Sequence, residues 1–277
     1  MDGATHPASG PGGAATLSLI IPAYNEEARL PTLLEVLATT AEDAVAEAGF
    51  SLLEALVVDD GSDDRTPVIL AEAAASQATL RTVRAGSENG GKGAAVAAGV
   101  RQAAGEYVLL ADVDLSTPLE ELPKLSAAIR SGADIAIGSR ALDRSVVDRG
   151  PGHRKLMGRA FNRAVRGMTG LELRDTQCGF KLIPTGIAKA LLAEQTCSGF
   201  SFDVELLMRA DQAGLRIAEV PVVYVHDSRS RVRVLSSTYR MLRDVAGLSY
   251  RVGRQAGRSG SSTPAGLSAD RPDLRAD

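Results

Sequence analysis

Three short apolar runs, each closed by a polar or acidic cluster, constrain this chain more than any other feature. Leu17–Ile21 runs into Pro22-Ala23-Tyr24-Asn25-Glu26, Leu52–Val58 into Asp59-Asp60-Gly61-Ser62, and Tyr107–Ala111 into Asp112-Val113-Asp114. The apolar runs have the length of buried strands. Between them lie helical patterns: Leu30, Leu33, Leu34 and Leu37 at i, i+3, i+4, i+7, then Arg65–Ser76 and Lys92–Ala104, with a further strand at Leu80–Arg84. Strand and helix alternating at this spacing build βαβ units. The expected fold class is therefore α/β, a mostly parallel sheet with helices on both faces. In such sheets ligands bind outside the carboxyl ends of the strands, so the three clusters are expected to converge on one crevice.

The second half is less regular. Helices are expected near Leu156–Met168 and Phe202–Ala213, and strands near Gly179–Ile183 and Ile217–Val225. The 277 residues suit one domain over 16–256, in two halves, 16–115 and 116–256. Residues 1–15 and 257–277 are rich in Gly, Ala, Ser and Pro and read as disordered tails.

Charge is unevenly spread. The chain totals −3, yet Arg140–Arg166 carries eight Lys or Arg against two Asp, and His226–Arg258 eight Arg against two Asp, each a net +6. The C-terminal half should face something anionic. A net negative chain with 4% aromatic residues and no Trp does not read as a nucleic-acid binder. Two cysteines cannot form a disulfide framework, and no segment approaches the length of a membrane span or a secretory signal. The expected location is cytoplasmic, with peripheral contact to the cytoplasmic face of a membrane.

Each cluster has a plain structural reading beside the chemical one. Asp112 and Asp114 at a strand end can approach a hard divalent cation shared with a diphosphate, or simply cap a turn. Asp59 and Asp60 can meet a nucleobase or ribose, or cap the next helix. Gly86 to Gly93 (GSENGGKG) nearly spells a phosphate-binding P-loop, but Gly93 stands where the metal-binding hydroxyl belongs, so an ATPase is excluded. Lys92 and the following helix start can still face a phosphate. Asp203 and Glu205 in FDVELL are acid/base candidates or helix N-terminal acids; two positions apart, they do not share a helix face. Cys178 reads as a small buried residue and the three histidines are too scattered for zinc. Leu235, Tyr239, Leu242 and Val245 or Ala246 have helical spacing with arginines interleaved, which fits a packed helix or one lying on anionic lipid.

IIPAYNEEARL, VVDDGSDDRT, NGGKGAAVAAG, ADVDLSTP, GSR and RDTQCGFKL followed by FDVELL together resemble the family-2 inverting glycosyltransferases, and in particular the dolichyl- or polyprenyl-phosphate β-glucosyltransferase branch. The resemblance covers Leu17 to Asp244. It implies a single nucleotide-sugar-binding, Rossmann-like α/β domain of the GT-A type, with 16–115 as the nucleotide-binding half and 116–256 as the acceptor- and membrane-facing half. Pro22, Tyr24, Glu26 and Asp59 would hold the nucleoside, with Lys92 beside the pocket. Asp112 and Asp114 would approach the ribose or diphosphate and a Mg²⁺ or Mn²⁺ ion. Arg140 and the segment with Asp175, Gln177 and Lys181 would line the sugar and acceptor end, and Arg229 and Arg231 would meet phosphate. Asp203 and Glu205 enter as catalytic candidates.

The implied reaction is metal-dependent inverting transfer of a hexose, foremost glucose from UDP-glucose, to a polyprenyl phosphate. Alternatives are GDP-mannose or a UDP-N-acetylhexosamine as donor, a soluble acceptor, or a non-catalytic nucleotide-sugar binder. Oligomeric state is not legible. Three departures stand out: Ser116 where some mannose-transferring relatives have Gln as a third metal ligand, Gly199-Phe200-Ser201 where eukaryotic glucosyl enzymes tend to have Trp, and no N-terminal anchor. A phosphate acceptor is already largely anionic at neutral pH and scarcely needs a base. Asp203 and Glu205 are thus expected to orient groups and not to take a proton.

Overall fold

The computed structural model describes residues 13–143, 145, 152–225 and 241–248. Both expected tails fall outside them except for Gly13 to Ala15, as do Arg229 and Arg231. The elements follow in the order β1 (Ala15–Ala23), α1 (Leu30–Thr39), α2 (Ala41–Glu47), β2 (Phe50–Asp59), α3 (Thr66–Ala74), β3 (Leu80–Arg84), α4 (Lys92–Gln102) and β4 (Tyr107–Leu110). A 3-10 turn at Leu119–Glu121 leads into α5 (Leu122–Arg130), β5 (Ile135–Ser139), α6 (Gly152–Thr169), β6 (Lys181–Pro184), α7 (Thr185–Ala193), α8 (Phe202–Gln212) and β7 (Ile217–Pro221). Residues 241–248 are helical, within the stretch whose spacing predicts a helix.

One sheet runs β3-β2-β1-β4-β6-β5-β7. It is mostly parallel, as expected; only β6 runs against its two neighbours, β4 and β5. The apolar runs are continuous because both faces of the strands are covered. Ile20, Leu56, Val58, Val108, Leu110, Ile135 and Ile137 pack into one layer with α4, α7 and α8. The alternate residues Leu19, Ile21, Ala55, Val57, Leu109 and Ala136 pack into the other with α1, α2 and α5. The period of two along each strand thus sorts the core into two slabs.

α4 lies unusually close to the sheet. A Cβ on Gly99 would stand 2.7 Å from Ile20 Cγ2 and 2.8 Å from Val58 Cγ2. That contact brings the start of α4 up to the carboxyl ends of β2 and β4. The sequence reading did not name α2, α5, β5 or α7; these elements are short, and α5 has only Leu122, Leu125 and Ile129 as apolar residues on its buried side, beside Ser126. β7 is shorter than the expected Ile217–Val225. After Pro221 the chain leaves the ladder, and the amides of Val222 and Val225 donate to Ser139 O and Ser116 O, drawing it across the crevice end of the sheet.

Candidate active site

The three strand-end clusters do meet. The clusters after β1 and β2 interlock through the chain itself: Asn25 N–H donates to Ser62 Oγ (2.9 Å), Asp63 N–H to Asn25 Oδ1 (3.0 Å) and Glu26 N–H to Thr66 Oγ1 (2.9 Å). Asn25 takes a left-handed φ of 54°, which Asn tolerates better than most residues. Asp59 Oδ1 caps the turn by accepting from Ser62 N–H at 3.0 Å, while its buried Oδ2 has no partner among the described residues. Both readings of Asp59 can therefore hold at once. Glu26 accepts from Arg29 through both oxygens, and Tyr24 is exposed beside them.

Asp60, for which the sequence left both a ligand contact and a cap open, binds the glycine-rich loop. Its two oxygens accept the amides of Gly90 (3.0 Å) and Gly91 (2.7 Å). Burial pushes its carboxyl up, against the pull of those two amides. Gly91 has φ 99°, and a Cβ there would meet Ser198 O at 2.6 Å, so the loop is sandwiched between Asp60 and the segment 197–199. Only glycine fits that position, in both backbone and space.

Lys92 follows as the first residue of α4, and its Nζ lies 2.6 Å from Asp112 Oδ1. Burial opposes the Lys92 charge, but Asp112 and Asp203 together hold its pKa above the ordinary value. Burial likewise opposes ionisation of Asp112, and Lys92, Lys181 and Arg140 outweigh it, holding the carboxyl below its usual range. A single carboxylate thus stands in the field of three cations. The opposite side of Asp112 is backed by Gly179, where a Cβ would stand 2.4 Å from Oδ2. Two residues on, Asp114 Oδ1 accepts Ser116 N–H at 3.0 Å across Leu115, which adopts φ 44°. Ser116 Oγ is buried with no partner among the described residues.

At the end of β5, Arg140 is locked onto Asp175. Its Nε, Nη2 and backbone amide donate to that carboxylate at 2.7, 2.9 and 3.0 Å, and its guanidinium lies 5.2 Å from the Tyr224 ring centre. Glu219 on β7, absent from the sequence reading, accepts the backbone amides of Arg174 (3.0 Å) and Asp175 (2.7 Å) and fixes the segment that carries them. Gln177 Nε2 and Thr176 Oγ1 are buried there without partners among the described residues. Asp60 was visible as the second acid of VVDD; nothing around Glu219 marks it in the sequence.

Lys181 and Asp203 form a buried ion pair at 2.5 Å, 0% and 2% exposed at their side chains, and Lys181 Nζ also donates to Cys178 O at 2.5 Å. Glu205 goes elsewhere. Its oxygens accept the amides of Thr196 and Cys197 and the guanidinium of Arg209. The two acids of FDVELL face different partners, as their spacing requires. Cys178 and Cys197 are free and buried, and burial pushes the Cys197 thiol up to about 11.

The fold is an α/β sheet, mostly parallel, with carboxylates, a lysine at a helix start and a clamped arginine gathered at its strand ends, where such sheets bind ligands. The chain belongs to glycosyl transferase family 2, whose profile matches residues 18–192, and it is a glycosyltransferase. It is 32% identical over 247 residues to Glycosyltransferase AglD of Haloferax volcanii, covering 89% of this chain but only 38% of that protein. To a Dolichyl-phosphate beta-glucosyltransferase of Drosophila melanogaster it is 36% identical over 238 residues, 83% of this chain and 73% of the relative. Among solved structures it shares the fold of glucosyl-3-phosphoglycerate synthase from Mycobacterium tuberculosis in complex with Mn²⁺, UDP-glucose and phosphoglyceric acid, with a TM-score of 0.58, 22% identity, and coverage of 86% of this chain and 80% of that one.

Proposed function

We propose that the enzyme transfers glucose from UDP-glucose to a polyprenyl phosphate with inversion at the anomeric carbon. The observation that carries this reading is the cationic setting of Asp112: an acidic turn that would meet the donor lies within reach of Lys92, Lys181 and the Asp175-bound Arg140. One end of the crevice suits a diphosphate and the other an anionic acceptor. The dolichyl-phosphate relative adds the acceptor class and the mycobacterial neighbour the donor.

The residues fit a divalent cation. Among the described residues no group of three His, Cys, Asp or Glu forms a closed metal site. A hard cation bound with a diphosphate needs only one or two carboxylates, and Asp114 with Asp112 would supply them beside the unpartnered Ser116 Oγ. Mg²⁺ or Mn²⁺ there would offset charge developing on the leaving diphosphate.

The chain's own groups account for the rest. Asp59, with Pro22, Tyr24 and Glu26 around it, offers an unused buried oxygen to a nucleoside N–H or hydroxyl. Arg140 is held ready for an anionic acceptor by a bidentate partner, the arrangement that best preserves its geometry. An acceptor phosphate oxygen then forms the new bond to the anomeric carbon as the carbon–oxygen bond to UDP breaks on the opposite face. Asp203 and Glu205, 1% exposed, orient Lys181 and the 196–197 segment and take no proton.

The basic C-terminal half would rest against the anionic surface that presents the lipid head; each such residue is worth about 1 kcal/mol near the surface. Among the described residues no helix is long and apolar enough to cross a membrane. Salt-sensitive sedimentation with anionic liposomes is expected, and its absence removes the membrane contact.

The test is a donor screen with purified protein and Mn²⁺ or Mg²⁺, offering UDP-glucose, GDP-mannose and UDP-N-acetylhexosamines with and without a short polyprenyl phosphate. Mass spectrometry should find a hexosyl-phosphoprenol from UDP-glucose that vanishes in Asp114→Ala. No lipid product from any donor would overturn the acceptor.

A further inference from the structure

The donors for a cation at the Asp112–Asp114 turn are few, and one of them is already taken. Lys92 Nζ sits 2.6 Å from Asp112 Oδ1, with side chains 18% and 38% exposed. This is not a loose surface contact. Lys92 opens α4 directly after Gly91, which is held by Asp60 on one side and pressed on Ser198 on the other. The Phe202 ring lies 5.9 Å from the ammonium. Gly179 backs the other oxygen of Asp112 on the far side, where even a Cβ would collide with it.

A dication approaching Asp112 must therefore displace or face an ammonium held at contact distance. Two like charges a few ångströms apart repel strongly in a partly buried site. A diphosphate changes the balance: it binds the cation on one side and gives the displaced ammonium a new anion on the other.

We infer that Lys92 is a resident counter-ion, occupying Asp112 in the empty enzyme and passing to the donor's diphosphate when it arrives with its cation, so that the metal is taken up with the nucleotide and not alone. This rests on the reading that Asp112 and Asp114 serve the donor's metal. It gives Lys92 two opposite effects on metal affinity, depending on whether nucleotide is present. A lysine that only fills space, or only adds positive charge, has no such reversal.

The experiment titrates Mn²⁺ into the full-length protein and counts free Mn²⁺ by electron paramagnetic resonance, with no nucleotide, with UDP, and with GDP in parallel. Wild type should bind Mn²⁺ weakly alone and about tenfold or more tighter with nucleotide. Lys92→Met should bind Mn²⁺ alone about tenfold tighter than wild type and lose most of the nucleotide enhancement. Lys92→Arg should behave as wild type. Lys92→Gln serves the same purpose should Lys92→Met lose its thermal transition, and Asp112 is exposed enough for water to replace the lysine in either. Unchanged or weaker Mn²⁺ binding by the neutral variants, with the nucleotide enhancement intact, overturns the inference alone. Wild type that takes up no Mn²⁺ even with nucleotide overturns the metal reading and this inference together.

Discussion

At the scale of single residues, the site depends on what backs each charge. Gly179 matters because it is not a side chain: any Cβ there runs into Asp112. Gly179→Ala should fold, at a cost of about 1–3 kcal/mol for the overpacking, while turnover falls at least about tenfold as Asp112 is pushed off the crevice. Steady-state kinetics beside a urea titration would check it; unchanged turnover would mean Asp112 does not need this position. Asp203 is the counter-case. Its carboxylate is buried on Lys181, so Asp203→Asn should destabilise by about 3–5 kcal/mol by stranding a buried ammonium. The pH–rate profile should keep its shape. Loss of several orders of magnitude in turnover with binding and folding intact would instead make Asp203 a base.

At the scale of elements, the site is a stack of loops held by acids on the elements beneath. Asp60 holds the glycine-rich loop, Glu219 on β7 holds the segment 174–175, and Glu205 on α8 holds 196–197, which in turn lies next to Ser198 and the start of α4. Glu205 carries a pH signature. Burial would raise its carboxyl, but Arg209 and the amides of Cys197 and Thr196 hold it below the usual range. A group whose folded pKa is depressed adds stability above its unfolded pKa, about 4.3, and loses it as pH falls through the folded value. Glu205→Gln should thus be less stable than wild type by about 1.5–3 kcal/mol at pH 7, with the gap closing below about pH 4. Denaturant midpoints at the two pH values would show it, and a gap independent of pH would refute the charge's part.

The sequence exposed these elements unevenly. β1, β2 and β4 were legible because burial on both faces leaves an unbroken apolar run ended by a polar turn. α5 and α7 are short and share their burial with the sheet, so they leave only a few spaced apolar residues. β6 was legible as a strand near Gly179–Ile183, but its antiparallel direction was not, since direction depends on where the chain returns and not on its local pattern. Asp112 and Asp114 were visible from their place after a strand. Lys92 was visible from its glycine-rich loop, but its pairing with Asp112 required the close approach of α4 at Gly99. Glu219 was invisible, because a side chain that serves two distant backbone amides leaves no periodic trace.

At the scale of the whole molecule, charge is divided along the chain. The carboxyl ends of β1, β2 and β4 carry the acids, and the net +6 stretches lie in the C-terminal half. A donor whose diphosphate needs a cation and an acceptor that is itself a phosphate can meet between them without a dedicated base. On the proposed reading inversion follows, since the acceptor oxygen would attack opposite the leaving UDP in a single displacement with no covalent enzyme intermediate. The most direct test is the anomeric configuration of the lipid product made from UDP-glucose and a short polyprenyl phosphate, read from proton and phosphorus coupling by NMR. The account predicts the β-linked glucosyl phosphate. An α-linked product, or glucose found only on a soluble acceptor, would contradict it.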